Sequence, residues 1–136
     1  EKLSKETFKD TRGQTMFYLR SAGHAIALHL LWQCRDIVIV SEGQKAIFLA
    51  DDGSKVILNA LSDEKPAAGI ASTVAVKPAG VLGLDIPYSG SDILQLVNKK
   101  IKAIRIYTSE GYKDFTVNEK RQTMISDCLN LLVDKI

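Results

Sequence analysis

The chain of 136 residues carries 18 Lys and Arg against 16 Asp and Glu, a net charge of +2, with 46% hydrophobic and 25% charged residues. That length and apolar share suit one domain able to bury its own core, without a metal or a disulfide framework. The near balance of charge excludes a broad basic surface for nucleic acid and an acidic tail. No apolar run reaches the roughly 18 residues of a membrane helix, and the longest candidate, Ala25 to Val40, is broken by His29, Gln33, Arg35 and Asp36.

The sequence opens at Glu1 rather than Met, an end that signal cleavage and trimming would leave alike. Residues 1–14 are polar around only Leu3 and Phe8, which predicts an exposed lead-in with at most a helical turn. A single α+β domain is expected over residues 15–136. Thr15 to Arg20 is rich in β-forming residues and predicts a strand, with a turn at Ser21-Ala22-Gly23. From His24 to Trp32 the pattern has period two: Ile26, Leu28, Leu30 and Trp32 share one face, and Ala25, Ala27, His29 and Leu31 the other. That second face is too apolar to be fully solvated, so something should cover part of it. Ile37-Val38-Ile39-Val40 is a continuous β-branched run, the pattern of a strand buried on both sides.

Lys45 to Ala50 and Lys55 to Ala60 read as a hairpin around Asp51-Asp52-Gly53-Ser54, because Gly accepts positive φ without strain. Val56 and Leu58 fall on one face of its second strand; Lys55, Ile57 and Asn59 fall on the other. Leu61 to Gly83 is punctuated by Pro66, Gly69, Pro78, Gly80 and Gly83, with a short strand expected over 72–77. Leu84, Ile86 and Tyr88 alternate with Asp85 and Pro87. Proline has no N–H to give a ladder, which predicts an edge strand or an irregular one.

Ser89-x-x-Asp92 predicts a capped helix of two turns with Ile93, Leu96 and Val97 as its apolar stripe, closed by Asn98-Lys99-Lys100. In the strand Ile101 to Thr108, Ile104, Ile106 and Thr108 face one way and Ala103, Arg105 and Tyr107 the other. After a turn at Ser109-Glu110-Gly111 and a short strand, Thr116-x-x-Glu119 reads as a capping box. The last helix is expected over Val117 to Lys135, with Met124, Ile125, Cys128, Leu129 and Leu132 at helical spacing.

Few residues invite a chemical role. His24 and His29, five apart in one strand, fall on opposite faces and cannot form a two-histidine metal site. His29 is a candidate ligand-binding residue, weighed against an ordinary surface or core histidine. Cys34 lies beside Arg35, which favours thiolate, but no local signature supplies the base a nucleophile needs. Cys34 and Cys128 are 94 positions apart. A bond between them would be worth about 4–5 kcal/mol by loop entropy; two buried thiols are the commoner arrangement. Asp51-Asp52-Gly53-Ser54 lacks the alternating ligands of an EF-hand loop. Ser89-Gly90-Ser91 lacks the leading glycine of a nucleophile elbow, and Gly80-Val81-Leu82-Gly83 is not followed by Lys-Ser/Thr as a phosphate loop would be. Trp32 could be a stacking platform but shares its face with core positions. Arg105 and Tyr107 point together off one strand face, with Lys102 and Tyr112 near in sequence. Such a pair binds an anion or stacks a ring, and is also common on a solvated sheet face.

The block Tyr88-Ser89-x-x-Asp92-Ile93-Leu94-x-Leu96, followed by Ile101-x-x-Ile104-Arg105-Ile106-Tyr107-Thr108, then Gly111-Tyr112 and a final helix, resembles small uncharacterised proteins of Bacteroides-type bacteria. There, too, a β-rich body with an Asp-Gly hairpin precedes the block. The resemblance spans roughly Lys45 to Ile136. It implies an exported α+β domain at the periplasm or cell envelope, with no assigned activity and no catalytic residues to carry over.

The expected fold is therefore α+β: a mainly antiparallel, curved β-sheet or β-roll of six to eight strands, with one short helix and a C-terminal α-helix packed on it. The expected function is a non-enzymatic binding or interaction module for a protein or small-molecule partner. No convergent acid, base and nucleophile are visible. Two alternatives are an enzyme or small-ligand protein with a pocket between sheet and helix, using His29, Arg105 or Asp85, and a structural subunit of a homo-oligomer. No cofactor, metal, nucleic acid or transmembrane segment is expected. The ligand-binding candidates are Arg105, Tyr107 and His29.

Overall fold

A computed structural model describes residues 2–9, 14–22, 25–34, 38–67 and 82–133. The expected strand over 72–77, His24 and the side chain of Cys34 lie outside the described residues. The strands are β1 (Lys2–Lys9), β2 (Gln14–Ala22), β3 (Ala25–Cys34), β4 (Lys45–Ala50), β5 (Lys55–Ala60), β6 (Leu82–Ser89), β7 (Ile101–Thr108) and β8 (Gly111–Thr116). They form one antiparallel sheet in the order β1-β2-β3-β6-β5-β4-β7-β8. The sheet is strongly curved, and its edge strands β1 and β8 approach each other. A 3₁₀ turn over Ile93–Leu96 and the helix α1 (Met124–Val133) complete the α+β architecture.

Strand alternation explains the core. Phe17 and Leu19 of β2, Ile26, Leu28, Leu30 and Trp32 of β3, and Leu84, Ile86 and Tyr88 of β6 are all buried on the concave face. Ala46, Phe48, Ala50, Val56, Leu58, Ile104, Ile106 and Phe115 continue that face across the other half of the sheet. Ile125, Cys128, Leu129 and Leu132 of α1 close over it, at the helical spacing the sequence shows. The Asp-Gly hairpin forms as expected: Gly53 has φ of +88°, and Asp52 Oδ1 accepts from the Ser54 N–H at 2.8 Å.

Several expectations are corrected. Lys2–Lys9 is a strand paired with β2, not a lead-in with a helical turn. It forms one edge of the sheet. Of the run Ile37 to Val40, Ile37 lies outside the described residues, and the remainder is not a doubly buried strand. Val38 and Val40 are buried, Ile39 is 43% exposed, and only an isolated bridge from Val40 to Glu64 forms. β6 does not lie at an edge but between β3 and β5. Proline is tolerated there because β5 pairs with β6 only through Asn59↔Ser89 and Ala60↔Tyr88. The Pro87 carbonyl accepts from the Leu61 N–H at 2.9 Å. The N and O of one strand residue face the same side, so the missing donor falls where the β5 ladder has already ended.

The helix starts are corrected as well. Ser89 caps no helix; its Oγ donates to the Ile26 carbonyl at 2.7 Å, tying β6 to β3. The expected two-turn helix is one 3₁₀ turn with Asp92 at its start and no side-chain cap. Thr116 ends β8, and the cap belongs to Asn118, whose Oδ1 accepts from Lys120 N–H at 3.0 Å at the head of a 3₁₀ turn over Glu119–Arg121. The α-helix proper starts only at Met124. Buried Ser126 on α1 accepts from the Asn98 N–H at 2.6 Å, and Asn98 sits at φ of +64°. That bond ties the β6–β7 connection to α1.

Candidate functional site

Both groups of candidate residues lie on the convex face of the sheet, opposite the core, and at different places on it. The first group joins β2, β3 and β6. Tyr18 stands directly across from His29 in the β2–β3 ladder, and Asp85 lies across from Leu31 in the β3–β6 ladder. Tyr18 Oη donates to Asp85 Oδ2 at 2.9 Å, and His29 Nδ1 lies 2.9 Å from Asp85 Oδ1. A carboxylate only accepts, so the imidazole proton sits on Nδ1. The two rings stack with centroids 4.4 Å apart and planes 11° apart. Burial, then the bond to Asp85, pushes the Tyr18 phenol up to about 12.

This cluster has the Asp–His half of a hydrolytic triad. Among the described residues no serine, threonine or cysteine completes it: the hydrogen bonds of His29 run to Asp85 alone. What surrounds it is apolar cover, since Leu31 is 3% exposed and Tyr18 6% on this outer face. The expectation that the second face of β3 is partly covered is met at Leu31. The geometry is that of a partly buried polar clasp binding three strands.

The second group lies on β4, β5, β7 and β8. Ladder registers set Ile57 opposite Ile47, Ile47 opposite Arg105, and Arg105 opposite Asp114. Beside that row, Asn59 faces Lys45 and Tyr107 faces Tyr112. On its other side Lys55 faces Leu49, and Leu49 faces Ala103. All of these positions alternate with core residues and therefore point outward. Arg105 Nε donates to Asp114 Oδ1 at 2.7 Å and Nη2 to Oδ2 at 3.0 Å, a two-pronged pair. Its Cζ lies 3.9 Å from the Tyr112 ring centroid. Tyr107 and Tyr112 pack at 5.9 Å, and Lys45 Nζ reaches to 5.2 Å from the Tyr107 ring. The hydrogen bonds with Asp114 hold Arg105 in its charged form and hold the Asp114 carboxyl below the usual carboxylate range. No protein-family model, curated protein or solved structure matches this chain. What the site can do rests on its own side chains.

Of the three sequence candidates, Arg105 and Tyr107 share one cluster, and His29 lies apart, with β6, β5 and β4 between its strand and theirs. The face also holds residues that the sequence reading did not single out. Ile57 is 44% exposed, with Ile47 and Leu49 half-buried between it and Tyr112, which the sequence already set near Arg105 and which is 56% exposed. The period-two pattern of β4 and β5 already placed Ile57 outward; the strand order that sets it beside Arg105 is not local information. Trp32 is no surface platform: it is buried and meets Phe115 edge-on. A cavity of about 300 Å³ lined by Asn118, Lys120, Arg121 and Met124 includes none of the three candidates. Among the described residues no helix is long and apolar enough to span a membrane, and no group of three or more potential metal ligands comes together.

Proposed function

We propose that the chain is a non-enzymatic binding module that docks a protein partner on the convex face of β5-β4-β7-β8, at the cell envelope as the resemblance to exported proteins implies. The observation that carries this reading is the composition of one continuous outward surface. Ile57, Ile47, Leu49 and Ala103 form an apolar strip, bordered by Arg105, Tyr107, Tyr112 and Lys45. Exposed tyrosine and arginine beside aliphatic side chains are what protein interfaces concentrate at their strongest contacts. Arg105 is held before any partner arrives, by Asp114 at its edge and Tyr112 on its face, so docking would cost little side-chain entropy.

A photo-reactive amino acid placed at position 57 in cells that make the protein tests this. A discrete protein adduct is expected from that position and none from Leu131, which is exposed on α1. Ile57→Asp combined with Tyr112→Ala should weaken the purified adduct partner's binding by about tenfold or more. Equal adducts from both positions, or undiminished binding by the double variant, would sink the reading.

A further inference from the structure

We infer that the segment docking on this face is acidic and extended, with acids at positions i and i+4 and an apolar residue at i+2; this rests on the binding-module reading above. The charges on the face are Lys45, Lys55, Arg105 and Asp114. Arg105 and Asp114 satisfy each other through two hydrogen bonds at 2.7 and 3.0 Å. Lys45 and Lys55 have no carboxylate within salt-bridge reach among the described residues, and both are exposed. Two uncompensated cations thus border one apolar strip.

Their spacing sets the pattern of the partner. Lys55 stands opposite Leu49, and Lys45 opposite Asn59, so the two lysines lie at opposite ends of the β4–β5 ladder. Four residues of strand separate the row of Lys45 from the row of Lys55, a span of about 13 Å at the usual rise per residue. Ile47 and Ile57, paired with each other, occupy the middle row. An extended segment presents alternate side chains to one side. A segment lying along these strands would therefore meet a lysine, an isoleucine pair and a second lysine at i, i+2 and i+4. Acid, aliphatic and acid are the complementary choices.

A second copy of this chain is a poor occupant. A two-fold axis through the strip would bring lysines of one copy towards lysines of the other, where like charges facing each other across an interface are costly. An anionic lipid surface would meet a convex sheet over only part of the strip.

The test uses three blocked heptapeptides, Thr-Glu-Thr-Val-Thr-Glu-Thr and its Gln and Lys counterparts, titrated into isotopically labelled protein and followed by amide chemical shifts. The Glu peptide is expected to shift the amides of β4, β5 and β7, and to bind about tenfold more tightly than the Gln peptide at low salt. The double variant Lys45→Glu, Lys55→Glu should reverse the preference towards the Lys peptide. Equal binding of the Glu and Gln peptides at this face overturns the acidic partner while leaving the docking face in place. Glu-peptide shifts confined to another face, or no binding by any peptide, overturn it as well. So does co-sedimentation with phosphatidylglycerol vesicles without Glu-peptide binding, or a dimer in sedimentation velocity that Ile57→Asp dissociates. Adducts from position 57 report on the docking face independently of these peptides.

Discussion

Trp32 on β3 and Phe115 on β8 meet edge to face, with ring centroids 5.2 Å apart and planes 84° apart. Four strands lie between theirs in the sheet order. A flat sheet would hold them some five strand spacings apart, about 24 Å, so their contact measures how far the sheet has curled. It also locks that curl, because each ring loses its neighbour if the sheet opens. Trp32→Ala and Phe115→Ala should each cost about 3–5 kcal/mol in chemical denaturation. The double variant should be less unstable than the sum of the two by about 0.5–1.5 kcal/mol, the coupling of an edge-to-face pair. Strict additivity would show that the rings stabilise the core separately and do not fasten it.

Tyr88 tests a different feature of the same core. Its ring is fully buried at 0% exposure, and among the described residues its hydroxyl has no hydrogen-bond partner. An unpaired buried hydroxyl carries a desolvation cost of about 1–3 kcal/mol. Tyr88→Phe keeps the ring and removes that cost, so it should raise stability by about 1 kcal/mol and raise the melting temperature. Tyr88→Ala should instead lose about 3–5 kcal/mol through the cavity it opens. A clear loss with phenylalanine would mean that the hydroxyl holds an internal water.

The Tyr18 phenol, pushed up to about 12 by burial and by Asp85, makes stability depend on high pH. The ordinary phenol near 10 belongs to the unfolded chain. A folded-state value above it means that the folded state keeps its proton more tightly. The stabilisation is therefore complete below about pH 10 and is lost as pH rises through about 12. The difference in absorbance at 295 nm between the protein and Tyr18→Phe should titrate near that upper value. Asp85→Asn should bring it down, because the negative charge is removed and a neutral amide oxygen accepts more weakly than a carboxylate. A phenol titrating near 10 in the unaltered protein would show that the clasp is open in solution.

The local parts of the fold were legible, and the long-range parts were not. Period-two alternation identified the inward faces of β3, β5 and β7 because each strand buries one side and the side chains report it directly. Gly53 declared its hairpin because few other residues tolerate positive φ. Ser89 misled for the opposite reason. A serine before an apolar stripe looks like a cap, but its hydroxyl found the Ile26 carbonyl 63 residues away. Pro87 suggested an edge, because nothing local reveals that β5 stops pairing beside it. The site follows the same division. Arg105 and Tyr107 were visible as a shared strand face. Their placement beside Ile47, Asp114 and Tyr112 depended on neighbouring strands, and Asp85 joined Tyr18 and His29 only through β3–β6 pairing.

Arg105 and Asp114 separate what the proposed docking face does for stability from what it would do for binding. Both side chains are substantially exposed, at 40% and 53%. Exposed pairs of this kind are screened by solvent and contribute little, so a double-mutant cycle with Arg105→Gln and Asp114→Asn should return only a small coupling. The Asp114 carboxyl lies below its ordinary value in the folded chain because Arg105 donates to it. Its small contribution is therefore present above the unfolded carboxylate value and is lost as pH falls through the folded one. Carboxyl carbon shifts should show Asp114 titrating low, and Arg105→Gln should return it towards the usual range. On the proposed docking reading, a pair this weak in folding but this well oriented would serve binding more than stability. Asp114→Asn should accordingly leave the melting temperature within about 2 °C, while loosening the guanidinium that Tyr112 covers and weakening whatever docks there. A large fall in melting temperature would instead make the pair part of the fold's own fastening.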